Sequence, residues 1–286
     1  MQNSDISNPV FREAVEAIDA GNVSILTGLL ASHPDLVMKP LDLPEEGYFK
    51  NPYLLWFIAD NPIRHEKLPS NINEIAKLII STIKLHAPDT LQDQLNYTLA
   101  LVVTGRIPKE SGVQIELIDL LIDEGAIPGN GHGAIAHDNL EAARRLIERG
   151  GRLTLATAIC ISRTNDIPTL LEKADSKEKQ IALVAASFYG KPDVIKLLID
   201  AGADVNAYLD SSSGFHYHAT ALHQAVYSGS LESVKILVGA GASLAAEDKI
   251  YKGTPLGWAM YMQTEVDDEA MKNKYSEIEK YLQTVV

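Results

Sequence analysis

A chain of 286 residues, 46% of them hydrophobic, can bury a substantial core as one large domain or two smaller ones. Its 25 basic and 38 acidic residues give a formal charge of −13, a field that repels phosphate backbones and anionic membranes, so neither nucleic acid nor a membrane is expected as partner. The single cysteine, Cys160, excludes an intramolecular disulfide and, within the apolar run Leu155 to Ile161, reads as a small buried hydrophobe suited to a reducing compartment.

Along the chain, Met1 to Asn8 is polar and has neither a basic stretch nor the apolar core of a secretory signal. No apolar run approaches the roughly twenty residues that span a bilayer, so a cytoplasmic protein is expected. Val15 to Asn22 and Leu29 to Pro34 read as a helix, a glycine turn and a second helix with its stop. A second such unit runs from Pro52–Ala59 to Ile75–Ile80 across a long connection, Pro62 to Asn73, and a third spans Leu91 to Ala126.

From there one phrase recurs, an apolar helix end followed by a polar step and Gly-Ala or Gly-Gly. It stands at Leu120–Ala126, Leu146–Gly151, Leu197–Ala203 and Leu237–Ala242. Each glycine falls where a helix ends in a left-handed residue. Shorter alanine-rich helices precede these amphipathic ones: Ile181 to Tyr189, Ala221 to Tyr227 and Leu256 to Tyr261. Alanine lets such helices stack closely, so helix pairs in series are predicted. Gly150 and Gly202 are 52 apart and predict two shortened units, around Leu153–Ala174 and Asp175–Ala207.

Thr220-Ala221-Leu222-His223-Gln224-Ala225 and Thr254-Pro255-Leu256-Gly257-Trp258-Ala259 resemble two copies of the ankyrin signature, 34 residues apart against a family period of about 33. Gly202–Ala207, Gly229 and Gly241–Leu244 stand where ankyrin repeats place hairpin and turn residues. The 39 residues between Gly202 and Gly241 exceed the period by about six, which marks Tyr208 to Ala219 as an insertion. The resemblance implies an all-α ankyrin-repeat solenoid of about eight stacked helix pairs. As a single domain over 1–286 it divides into diverged repeats at 8–127, shortened repeats at 128–175, clear repeats at 176–262 and a capping C-terminal helix at 263–286. It also implies a non-catalytic protein-interaction module that presents inner helices and hairpin tips to a partner.

Candidate partner-binding residues follow. Tyr208, Phe215, His216, Tyr217 and His218 make the insertion an aromatic, polar-tipped loop, the composition of a binding hot spot, and Tyr251 joins them. Replacing Phe215, Tyr217 and His218 by Ala is expected to weaken binding and spare the melting temperature. Arg106, His132 and Arg163, with Asn139 and Asn165, fall near successive turns and can line a wall for a carboxylate, or can merely satisfy loop carbonyls.

His216, His218 and His223 are spaced to reach one metal ion, yet no cysteine or carboxylate nearby completes the set, and His223 has a structural part in the signature. Gly129 to Gly133 resembles a phosphate-cradling loop but lacks the preceding strand, so an inter-repeat turn is expected. Trp56 and Trp258 sit on apolar helical faces and read as core. No activated nucleophile with its base appears. The expectation is therefore no catalytic residue, no metal and no cofactor, with an unidentified, basic protein partner for a soluble monomer. Two alternatives remain open: a metal or small-molecule receptor built on His216, His218 and His132, and a hydrolase, which a pocket bringing a histidine to a carboxylate would favour.

Overall fold

The protein is described here by a computed structural model covering residues 3–43 and 47–285. Of the polar amino-terminal segment, Met1 and Gln2 lie outside the described residues, as does Val286 of the expected capping segment 263–286. The chain forms two compact units, Met1–Arg152 and Leu153–Val286. The division falls inside the stretch expected to hold shortened repeats, where the same helix-ending phrase continues on both sides.

In the first unit the helices are α1 (Pro9–Asp19), α2 (Val23–Ser32), α3 (Asp35–Met38), α4 (Ile72–His86), α5 (Leu91–Thr104), α6 (Arg106–Glu110), α7 (Gln114–Asp123), α8 (His132–Ala136) and α9 (Leu140–Glu148). A 3-10 segment, Leu54–Ala59, takes the place of an inner helix. The starts are written in the sequence. Asn8 accepts hydrogen bonds from the N–H groups of Val10 and Phe11 ahead of Pro9, and Asn22 accepts from Ile25. Two parallel rows result: α1, Leu54–Ala59, α5 and α8 pack in order, and α2, α4, α7 and α9 pack beside them.

The long connection after Ala59 is pinned by charge. Asp60 accepts from the backbone N–H groups of Arg64, His65 and Glu66, while Arg64 donates to Asp19 and to the Phe57 carbonyl. Trp56, expected in the core, is half-buried and stacks on Tyr97 with ring centroids 4.0 Å apart.

The second unit contains α10 (Leu155–Cys160), α11 (Ile167–Lys173), α12 (Ser176–Phe188), α13 (Pro192–Asp200), α14 (Ala221–Tyr227), α15 (Leu231–Gly239), α16 (Pro255–Glu265) and α17 (Glu269–Val285). Inner helices α10, α12, α14 and α16 pack in sequence, and α13, α15 and α17 form the outer row. Capping follows the signature: Thr154, Asp175, Ser230 and Thr254 each accept from a backbone N–H three residues on. Outer helices end as predicted, with Gly202 at φ 87° and Gly241 at φ 89°, and with the N–H of Ala203 and Ala242 returned to the carbonyls of Leu198 and Leu237.

Helix α17 buries one stripe, Tyr275, Ile278 and Leu282, and leaves its charged face to solvent. Among the described residues there is no strand, and each unit carries four helix pairs when Leu54–Ala59 is taken as an inner member. Cys160 is buried, and burial pushes its thiol up to about 12 despite the opposing charge of Lys191.

Candidate interaction surface

The insertion is the most elaborated segment of the second unit. The 3-10 turn Ser211–Ser213 starts on Asp210, and Ser213 turns inward to bond the Phe215 carbonyl. Phe215 is only 3% exposed. Its ring meets Phe188 edge-on at 5.9 Å and His216 at 4.7 Å. This corrects the expectation for the loop: Phe215 is its buried footing, because an apolar ring without a polar tip gains most by filling the gap over α12. Removing it cannot leave stability untouched.

Tyr217 is 44% exposed and His218 half-buried. Tyr208 donates its hydroxyl to the Glu247 carbonyl, and Lys249 lies over the rings of Tyr208 and Tyr217, its Nζ 4.9 and 5.9 Å from their centroids. The backbone N–H of Lys249 also donates to the His218 carbonyl, at 2.7 Å. The insertion is thereby tied to the next hairpin, residues 247–253.

That hairpin is organised by Asp248, whose importance the sequence reading missed. The carboxylate is fully buried and accepts from the N–H groups of Ile250, Tyr251 and Gly253 and from the Trp258 indole. Burial pushes its carboxyl upward, but these four donors outweigh burial and hold it at about 2. Its position six residues before the signature threonine is the signal that was available.

His223 uses both ring nitrogens, Nδ1 toward Thr220 and Nε2 toward the Gly253 carbonyl. It therefore fastens the following hairpin to its own helix start and has no nitrogen left for a metal. Burial lowers the pKa values of both His218 and His223. Among the described residues no group of three His, Cys, Asp or Glu side chains is arranged to hold a metal ion.

Beside this braced loop runs an aromatic row that sequence reading also missed. Phe188 and Tyr227 are the last residues of α12 and α14, and their rings stack at 5.2 Å with planes 10° apart. Tyr261 stands seven residues after Thr254, as Tyr227 stands seven after Thr220, so the two occupy equivalent positions in successive inner helices. Tyr227 is 43% exposed, Tyr261 60% and Tyr251, on the hairpin, 81%. Met260 and Ile250 are exposed beside them in sequence. The Tyr261 hydroxyl is held above its usual range, chiefly by the charge of Glu265 and to a lesser degree by Tyr251.

The remaining candidates do not converge. Arg106 pairs with Glu110 and Arg163 with Asp166, each within its own turn. Asn139 donates to the Val103 carbonyl, the loop-satisfying role. His132 opens the five-residue α8 beside a cleft of about 200 Å³ that Asn96, Leu99, Val103 and Gly131 also line. Gly129–Gly133 is an inter-repeat turn whose Gly129 carbonyl accepts from Arg152.

A histidine does meet a carboxylate in the first unit. His65 Nε2 lies 2.9 Å from Asp19 Oδ2, in a cleft of about 430 Å³ also lined by Asn3, Glu16 and Lys67. The other oxygen of Asp19 is taken by Arg64 at 2.8 Å, so this carboxylate holds the connection in place. The described lining contributes no hydroxyl or thiol nucleophile to the pair.

The family model for ankyrin repeats (3 copies) matches residues 110–248 and 184–266, more than half of the chain. The chain belongs to the ankyrin-repeat family. No curated protein matches it. Ankyrin repeats are generally protein–protein interaction modules and typically non-catalytic, and the matched region contains the braced insertion, the Asp248 hairpin and the aromatic row. Helix pairs before residue 110 show the same two-row packing. Among the described residues no helix is long and apolar enough to cross a membrane.

Proposed function

We propose that this protein is a non-catalytic binding module whose partner docks on the inner-helix and hairpin face of the second unit, with Tyr227, Tyr251, Tyr261 and Tyr217 as its exposed anchors. The observation that carries this is the repetition of an exposed aromatic at one register position in successive inner helices, next to a hairpin held rigid by Asp248. Tyrosine supplies large contact area at little entropic cost, and a rigid scaffold lowers the cost further. Tyr208 and His218 serve by holding the surface, and Phe215 packs edge-on against Phe188. Arg106, His132 and Arg163 lie outside this surface. A soluble, cytosolic setting suits the buried single thiol and the acidic charge.

The test is site-specific photocrosslinking in the native cell, with a benzophenone side chain at Tyr251 or, for comparison, at Leu197, an exposed position on outer helix α13. One discrete crosslinked protein from position 251 and none from position 197 is expected. The same product from both positions, or from 197 alone, contradicts the proposed face.

A further inference from the structure

The aromatic row has an electrostatic setting that narrows its ligand. Phe188 and Tyr227 each end their helix, and Tyr261 lies one turn before the end of α16, so the row sits where inner helices present their partly negative carboxyl ends. Exposed carboxylates follow at once: Glu265, close enough to raise the Tyr261 hydroxyl, then Asp267 and Asp268. Tyrosine rings elsewhere in this unit already take ammonium groups, Tyr208 and Tyr217 from Lys249, and Tyr281 from Lys235 at 5.7 Å. Lys249 is drawn back into the insertion, with its Nζ near the Leu209 carbonyl.

Resting on the proposed docking face, we infer that the partner is a polypeptide segment bearing arginine, received with its guanidinium groups against Tyr227, Tyr251 and Tyr261 and paired with Glu265. Arginine suits this surface better than lysine because its planar, weakly hydrated cation can stack on a ring while its N–H fork reaches a carboxylate. A second copy of the chain is disfavoured, since each copy carries −13. An acidic segment meets the same repulsion.

Fluorescence anisotropy at low ionic strength tests this with a labelled peptide of alternating Arg and Gly, alongside Lys-Gly and Glu-Gly peptides of equal length. The expected order is Arg over Lys, with no binding of the Glu peptide. Tyr227→Leu with Tyr261→Leu keeps apolar bulk but removes the rings, and should weaken the Arg peptide about fivefold to thirtyfold. Glu265→Gln should weaken it about threefold, and Glu232→Gln on outer helix α15 should leave it unchanged. Equal losses from Glu232→Gln and Glu265→Gln, with no loss from the tyrosine pair, would show attraction to net charge only and overturn the inference. So would absence of Arg-peptide binding by the unmodified protein. Crosslinking from position 251 does not depend on arginine, so its persistence alongside either result would leave the face standing and remove only the cationic partner.

Discussion

A carboxylate sealed from water must either be protonated or be surrounded by donors, and Asp248 takes the second course with three backbone N–H groups and an indole. Asp248→Ala leaves those donors unpaired and should cost about 2–4 kcal/mol in urea unfolding. Because its carboxyl sits at about 2 in the fold and near 3.9 in an unfolded chain, its contribution is complete above about pH 4 and disappears as pH falls toward 2. Two histidines act at higher pH. His218 and His223 have lowered pKa values, so the unfolded chain binds protons first, and stability should fall as pH drops below about 6.5. Thermal melts between neutral and mildly acidic pH should show this decline, and His218→Gln should shrink it. Within the insertion, Phe215→Ala should cost about 3–5 kcal/mol and Tyr217→Ala under about 1 kcal/mol in the same assay. The sequence showed an aromatic loop. It could not show which ring faces inward, because that depends on Phe188, 27 residues earlier in the chain and brought beneath the loop by folding.

Helix pairs were legible wherever local chemistry and period agreed. Thr254-Pro255 starts α16, Gly202 and Gly241 close α13 and α15, and the two shortened units after Gly150 appear as α10–α11 and α12–α13. Legibility fell where the inner helix is replaced by a 3-10 segment, as at Leu54–Ala59, whose apolar run gives no period to read. The aromatic row was missed for a different reason. Tyr227 and Tyr261 each look ordinary, and only superposing the two signatures brings them to one position. Gly202→Ala should cost about 1 kcal/mol, since φ 87° strains any residue with a Cβ although open space surrounds it. On α17 the Tyr275 hydroxyl donates to the Tyr227 carbonyl at 2.8 Å, and Tyr275→Phe should lose about 1 kcal/mol.

At the scale of the molecule, the boundary between Arg152 and Leu153 left no mark in the sequence, because both units use the same helix-ending phrase. Charge was legible at once and retains its meaning: a surface at −13 steers cationic partners, so association should slow as salt is added. The central claim is that one tyrosine-bearing face of the second unit holds a protein partner. Affinity capture from the native lysate, comparing the unmodified protein with a Tyr227→Ser, Tyr251→Ser, Tyr261→Ser variant of matched melting temperature, tests it most directly. The account predicts one protein retained at near-equal amounts by the first and lost by the second. Undiminished retention by the variant would contradict it.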